Sequence, residues 1–215
     1  MSEQTGLGQQ GEVDQYIDET YGGAVSSMSG DDRAAQVMAA VNERLDAERC
    51  PMLDWAWGAS GATQGYFEYA NWRMVLNEQP FSPEAYEAGA VAAHADLLDT
   101  VYHEARHSEQ WFRAARERAG LGATAEQIVG VMGIPQWVAE AACADPIAQC
   151  DYSQYQAEEW YDSIYGAGAD HRNEVLNDPG SHYDEYRQLP EEADAWATGS
   201  EVTEDYTERG EVGNQ

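Results

Sequence analysis

Residues 83–120 constrain the fold most, because they read as helix with a break near Gly89 and carry one apolar stripe. Leu97, Val101, Ala105, Phe112 and Ala115 recur at helical spacing, so one side of this helix must face a core. Other segments offer partners for that face. A helix is predicted from about Asp31, where Val37, Val41 and Leu45 recur every four residues and Pro51 ends the run. Residues 65–77, GYFEYANWRMVLN, carry the best strand signal. Phe67 and Tyr69 alternate on one arm and Trp72, Met74 and Leu76 on the other, with a turn near Ala70 and Asn71. Thr124 and Gln127 fit a capping box before Ile128, and a second short helix follows Pro135. An aromatic-rich helix covers roughly 153–165. After the Asn177-Asp178-Pro179-Gly180 loop, Pro190 opens a last helix with Gly199 near its end. The sum is an α+β fold, mostly helical, with a small β-hairpin.

At 215 residues the chain has room for a real core, and seven Trp, thirteen Tyr and 43% hydrophobic residues argue for a folded globule. Residues 1–30, rich in Gly, Gln, Ser and acid, read as a mobile leader. Residues 31–199 read as the folded domain, and residues 200–215 as a frayed acidic tail. No run of eighteen apolar residues spans a membrane, and the N-terminal residues lack the basic and apolar regions of a secretory signal. The expected location is cytoplasmic, or reached by an export route that needs no signal peptide.

Forty acidic residues stand against eleven basic ones, every one an Arg. Such a chain repels nucleic acid and anionic membrane surfaces, so neither is an expected partner. Residues 125–138 have the outline of a helix-turn-helix. Between Arg118 and Arg172, however, there is no basic residue for a DNA backbone, so the stretch is read as a packing element. The three cysteines, without a Cys-x-x-Cys pair, argue against a cysteine-type zinc site; a bridge between Cys143 and Cys150 is conceivable.

The chemistry concentrates in residues 102–111, YHEARHSEQW. On a helix, His103 and His107 lie one above the other, placing two neutral nitrogens where they share a tetrahedral zinc ion. Glu104 lies about 100° around the helix from His103 and about 60° from His107, so its carboxylate reaches a water beside the metal without occupying a ligand position. Hydrolysis of an amide needs that arrangement, in which the metal acidifies water and the carboxylate moves its proton to the leaving amine. With five His and 24 Glu in the chain, chance produces this pattern about once in a hundred such sequences.

His103-Glu104-Ala105-Arg106-His107 within a helix resembles the zincin superfamily of zinc metallopeptidases. The resemblance implies zinc held by His103 and His107, Glu104 as general base, and an edge strand above the helix for an extended substrate, a role falling on residues 72–77. The longer wording VYHEARHSEQWFRAAR is similar to zincin-like domains of bacterial toxins and of proteins associated with contractile injection systems. That likeness implies a delivered effector acting on protein or peptide substrates. The alternative is a non-catalytic zincin-like structural or adaptor module of a secretion or injection apparatus. The metzincin pattern does not fit, since Gln110 and Arg113 stand where Gly and His are required.

A zinc peptidase needs a third protein ligand. Residues 186–197, YRQLPEEADAWA, resemble the Glu-bearing helix of gluzincins, with Pro190, Glu192, Asp194 and Ala195 on the pattern. That implies Glu192 as ligand and Asp194 as the group behind an imidazole, although on an ideal helix these two point about 200° apart. Asp162, in Asp-Ser-Ile-Tyr-Gly, resembles part of the aspzincin motif and is the rival ligand. Glu191, His171 and His182 remain further alternatives. Tyr165, Tyr186 or His182 would stabilise an oxyanion, and His94 is expected on a helix surface.

Overall fold

A computed structural model describes residues 5–20, 28–88, 91–149, 152–178 and 180–212. It is mostly helical with one three-stranded sheet, as expected, and divides into two units. The first comprises Met1–Glu68, Arg73–Arg106 and Ala197–Gln215; the second, Tyr69–Trp72 and His107–Trp196.

In the first unit a 3-10 turn, Gly6–Gly8, leads into α1, Gln10–Thr20. The expected mobile leader is therefore overturned over residues 5–20. Leu7, Val13, Tyr16 and Ile17 are wholly buried. The Tyr16 ring stacks on Tyr102 at 4.6 Å, the Tyr102 hydroxyl donates to the Leu7 carbonyl at 3.1 Å, and Arg106 donates to the Thr5 carbonyl at 2.6 Å. Four apolar residues at helical spacing outweigh the polar composition on which the leader reading rested.

Helix α2, Gly30–Ala47, is capped by the Ser29 hydroxyl, which accepts from the Asp32 amide, and buries Val37, Val41 and Leu45 as its spacing predicted. Arg44 on its buried face meets Glu12 at 3.3 Å and Glu19 at 2.9 Å, so acids of α1 find a cation inside the unit. The helix ends before Pro51, at Glu48 and a left-handed Arg49 (φ 57°).

The sheet contains β1, Asp54–Trp57, β2, Gly65–Glu68, and β3, Arg73–Leu76, in the order β1-β3-β2. The hairpin β2–β3 is antiparallel and pairs Phe67 with Met74; β1, absent from the sequence reading, pairs parallel to β3. This corrects the edge strand. Residues 73–76 are central, bonded on both sides, and the free edge of the hairpin is β2.

Two short helices, α3 (Glu78–Phe81) and α4 (Pro83–Ala88), precede α5, Val91–Gly120. The expected break at Gly89 lies outside the described residues, although one helix ends at Ala88 and the next begins at Val91. The predicted stripe is buried, but α5 goes further, since every residue from Val101 to Ala115 except Glu104 is buried. His94 on this helix is half-buried rather than on an open surface.

The second unit adds α6 (Ala125–Met132), α7 (Gln136–Ala144), α8 (Tyr152–Ile164), α9 (Ala169–Asn177), α10 (Tyr183–Tyr186) and the start of α11 (Pro190–Val212). The capping box forms as expected, with Thr124 and Gln127 each accepting from the other's backbone amide. Cys150, half of the conceivable bridge, lies outside the described residues. No helix among them is long and apolar enough to cross a membrane.

Helix α11 does not stop at Gly199, and the predicted acidic tail is helical through Val212. Thr198, Val202 and Tyr206, recurring every four residues, are buried in the first unit, a stripe hidden among the acids. Gly199 itself sits mid-helix because a Cβ there would run into the Asp99 carboxylate and meet the His103 Cβ at 3.5 Å. Gly130, in α6, has nothing within 4 Å of its virtual Cβ. Gly130→Ala is therefore expected to raise stability by about 0.5–1 kcal/mol, the helix-propensity gain. Gly199→Ala is expected to lower it by about 1–2 kcal/mol, because the clash exceeds that gain. Paired urea melts check the opposite signs.

Candidate metal centre

Helix α5 brings His103, Glu104 and His107 together as their spacing requires, and their ligand atoms lie within 4.8 Å of one another. Both imidazoles are buried, His103 at 6% and His107 at 8% exposure, so they are not solvated surface histidines. Close behind His103 lies Asp99, one turn earlier, whose carboxylate accepts from the Thr203 hydroxyl at 3.0 Å. Burial pushes the Asp99 carboxyl above its ordinary range, with the Thr203 bond and the His103 charge acting against that rise.

Glu104 points to the sheet. Its carboxylate accepts from the Phe67 amide at 2.8 Å. Just before β2, the Gln64 carbonyl accepts from the Asn77 amide at 2.8 Å, so Gln64 and, by alternation, the backbone groups of Tyr66 and Glu68 face β3. Gly65 and Phe67 therefore turn their backbone groups to the free edge, and Glu104 occupies one of these outward donors.

His107 is oriented by a residue that sequence reasoning had used only to exclude another family. The Gln110 side-chain nitrogen donates to the Glu191 carbonyl and to the Asp194 carboxylate, both at 2.8 Å. With its nitrogen committed to two acceptors, the Gln110 oxygen must accept, and it meets His107 Nδ1 at 2.8 Å. His107 Nδ1 is therefore the donor in this bond. Asp194 was expected to hold an imidazole N–H itself; here Gln110 meets His107, and Asp194 accepts from Gln110. The available signal was position, since Gln110 follows His107 by three residues on one helix face.

Glu192 stands beside His107, although it does not join the group of His103, Glu104 and His107. Its carboxylate is 3.6 Å from His107 Nε2, and the residue is 5% exposed. That separation is too long for a hydrogen bond, yet close to the ~3.4 Å between two donors of one tetrahedral zinc with ligand bonds of about 2.1 Å. Two buried imidazoles and the Glu104 carboxylate form a donor set that could hold a metal ion. If Gln110 fixes the tautomer of a metal ligand, Gln110→Ala is expected to weaken zinc binding about 10–100-fold with the fold intact. Competition with a chromogenic chelator measures it.

The other candidates go elsewhere. Glu191 is fully buried, but its carboxylate pairs with Arg172 at 2.6 Å. Asp162 and His171 are exposed, line a separate cavity, and do not join the imidazole group. His182 pairs with Glu185 at 3.2 Å. Tyr165 donates its hydroxyl to the Met132 carbonyl at 2.9 Å, and burial holds its pKa well above the ordinary value, so it is committed to the backbone. Tyr186 ends α10 and is half-buried. No protein-family model, no curated protein and no solved structure matches this chain.

Proposed function

We propose that this chain is a zinc-dependent hydrolase of peptide bonds, as its resemblance to the zincins implies. His103, His107 and Glu192 are the protein ligands and Glu104 is the general base. One observation carries the reading: His103, Glu104 and His107, on adjoining turns of one helix, bring their ligand atoms within 4.8 Å of one another, and both imidazoles are buried. Bound zinc supplies a Lewis acid that polarises the scissile carbonyl and acidifies a water. Glu104 would move a proton from the attacking water to the departing amine. The outward backbone groups of Gly65 and Phe67 on β2 suit an extended substrate, which would replace Glu104 at the Phe67 amide and free the carboxylate for proton transfer.

The second reading is a non-catalytic module of a secretion or injection apparatus. The bond from the Phe67 amide favours it, because a carboxylate there also staples β2 to α5. Elemental analysis of the purified chain, with cleavage of a quenched peptide library by the wild type, Glu104→Gln and His103→Ala, separates the two. One zinc per chain with cleavage lost in Glu104→Gln supports the hydrolase. Zinc without cleavage in any variant supports the module, and no zinc sinks both.

A further inference from the structure

Behind His107 the second unit holds a buried ion pair that the proposed reaction does not use. Arg172, on α9, donates from Nε to the Glu191 carboxylate at 2.6 Å. Glu191, in the first turn of α11, is fully buried, and its second carboxylate oxygen has no hydrogen-bond partner among the described residues. Arg172 is the cation that answers this acid.

Two routes lead from Arg172 to the imidazole. Along the first, the Glu191 carbonyl accepts from the Gln110 side chain at 2.8 Å, and the Gln110 oxygen meets His107 Nδ1 at 2.8 Å. Along the second, the guanidinium carbon lies 5.8 Å from the centre of the Trp111 ring. That ring stands edge-on to His107, with centroids 5.9 Å apart and planes at 79°. Trp111 is 6% exposed and has Tyr69 stacked on it at 6.2 Å, so its ring has little room to turn. One arginine thus touches what holds His107 at its Nδ1 and what holds it at its ring.

Stability alone is a poor account of the pair. Taking two charges out of water costs about as much as their attraction gives back, and apolar replacements are often neutral or stabilising. An ion pair supplies direction, which an apolar pair does not. The guanidinium is a rigid planar fork, and here it meets both a carboxylate and an aromatic ring.

We propose that Arg172 is a positioning residue for the metal centre: by fixing Glu191 and Trp111 it holds the Gln110–His107 pair, and so the direction in which the imidazole faces the metal. This role rests on His107 being a metal ligand, as the hydrolase reading has it, and on no step of catalysis.

The test compares the full chain with three variants. Arg172→Met combined with Glu191→Gln removes both charges, so no buried acid is left unpaired. Arg172→Lys keeps a cation at Glu191 and loses the fork. Arg116→Met is the control, because it breaks a pair with Asp145 about two and a half turns along α5 from His107. Circular dichroism confirms that each is folded. Two measurements are made. Ring-nitrogen NMR shifts of His107 in the zinc-free chain at about pH 8, where an ordinary imidazole is neutral, report whether Nδ1 carries the proton. Competition with a chromogenic chelator gives the affinity for zinc.

In the wild type Nδ1 is expected to carry the proton. In the double variant the two tautomers should mix and zinc affinity should fall about 10–100-fold, the usual loss when the support behind a metal-bound histidine is removed. Arg172→Lys should change in the same direction by up to about tenfold, and it decides alone if the double variant does not fold. Arg116→Met should leave both measurements at the wild-type values. Unchanged shifts and affinity in a folded Arg172 variant overturn the proposal, as does an equal loss in Arg116→Met, which marks a general loosening of α5. A wild type that holds no zinc sinks the hydrolase reading, and the nitrogen shifts then decide the role of Arg172 by themselves.

Discussion

Glu104→Gln is expected to keep zinc at one per chain while lowering kcat/KM for peptide cleavage by about 10²–10⁴-fold, the usual contribution of a positioned acid–base group. The replacement is selective. A glutamine at 104 keeps the side-chain length and still offers a carbonyl oxygen to the Phe67 amide, now 2.8 Å from the carboxylate. It loses only the ability to take a proton. Glu104→Ala would confuse the result, because β2 would lose its bond to α5 as well. Steady-state cleavage with parallel zinc analysis decides. A glutamine variant as active as the wild type would remove Glu104 from the chemistry, leaving it as the strand staple.

Removing the metal should have the second large effect, on stability. A zinc ion that binds only the folded chain stabilises it by about 2.7 kcal/mol at a free concentration one hundred times its Kd. For a chain of this size, that corresponds to roughly 5–11 °C in Tm, at about 2–4 °C per kcal/mol. Thermal melts with and without a chelator should show that difference for the wild type. His107→Ala and Glu192→Gln should melt at one temperature under both conditions, because each removes a ligand. Asp162→Asn, on the separate cavity, should keep the full zinc response. If instead Asp162→Asn abolishes the response and Glu192→Gln preserves it, the ligand assignment is wrong.

Much of the helical framework was legible in the sequence. The start near Asp31, the Thr124–Gln127 box and Pro190 mark starts that the structure keeps. Each works through backbone groups within one turn. Composition misled at both ends. The polar N-terminal residues conceal Leu7, Val13, Tyr16 and Ile17, and the acidic C-terminal ones conceal Val202 and Tyr206. In each case a few apolar residues at the right period decided the structure. β1 escaped because four residues alternating around Trp55 and Trp57 carry too short a pattern, and its pairing with β3 comes from elsewhere in the chain.

The sequence by itself determined that two imidazoles and a carboxylate share one turn of a helix, because helical geometry carries that information across four residues. It did not determine which acid stands beside His107, which residue its Nδ1 bonds to, or which strand lies at the free edge. Tertiary packing decided those. Glu192, Gln110 with Asp194, and Phe67 on β2 acquire their places from contacts between segments far apart in the chain, and spacing along a sequence carries no such distance.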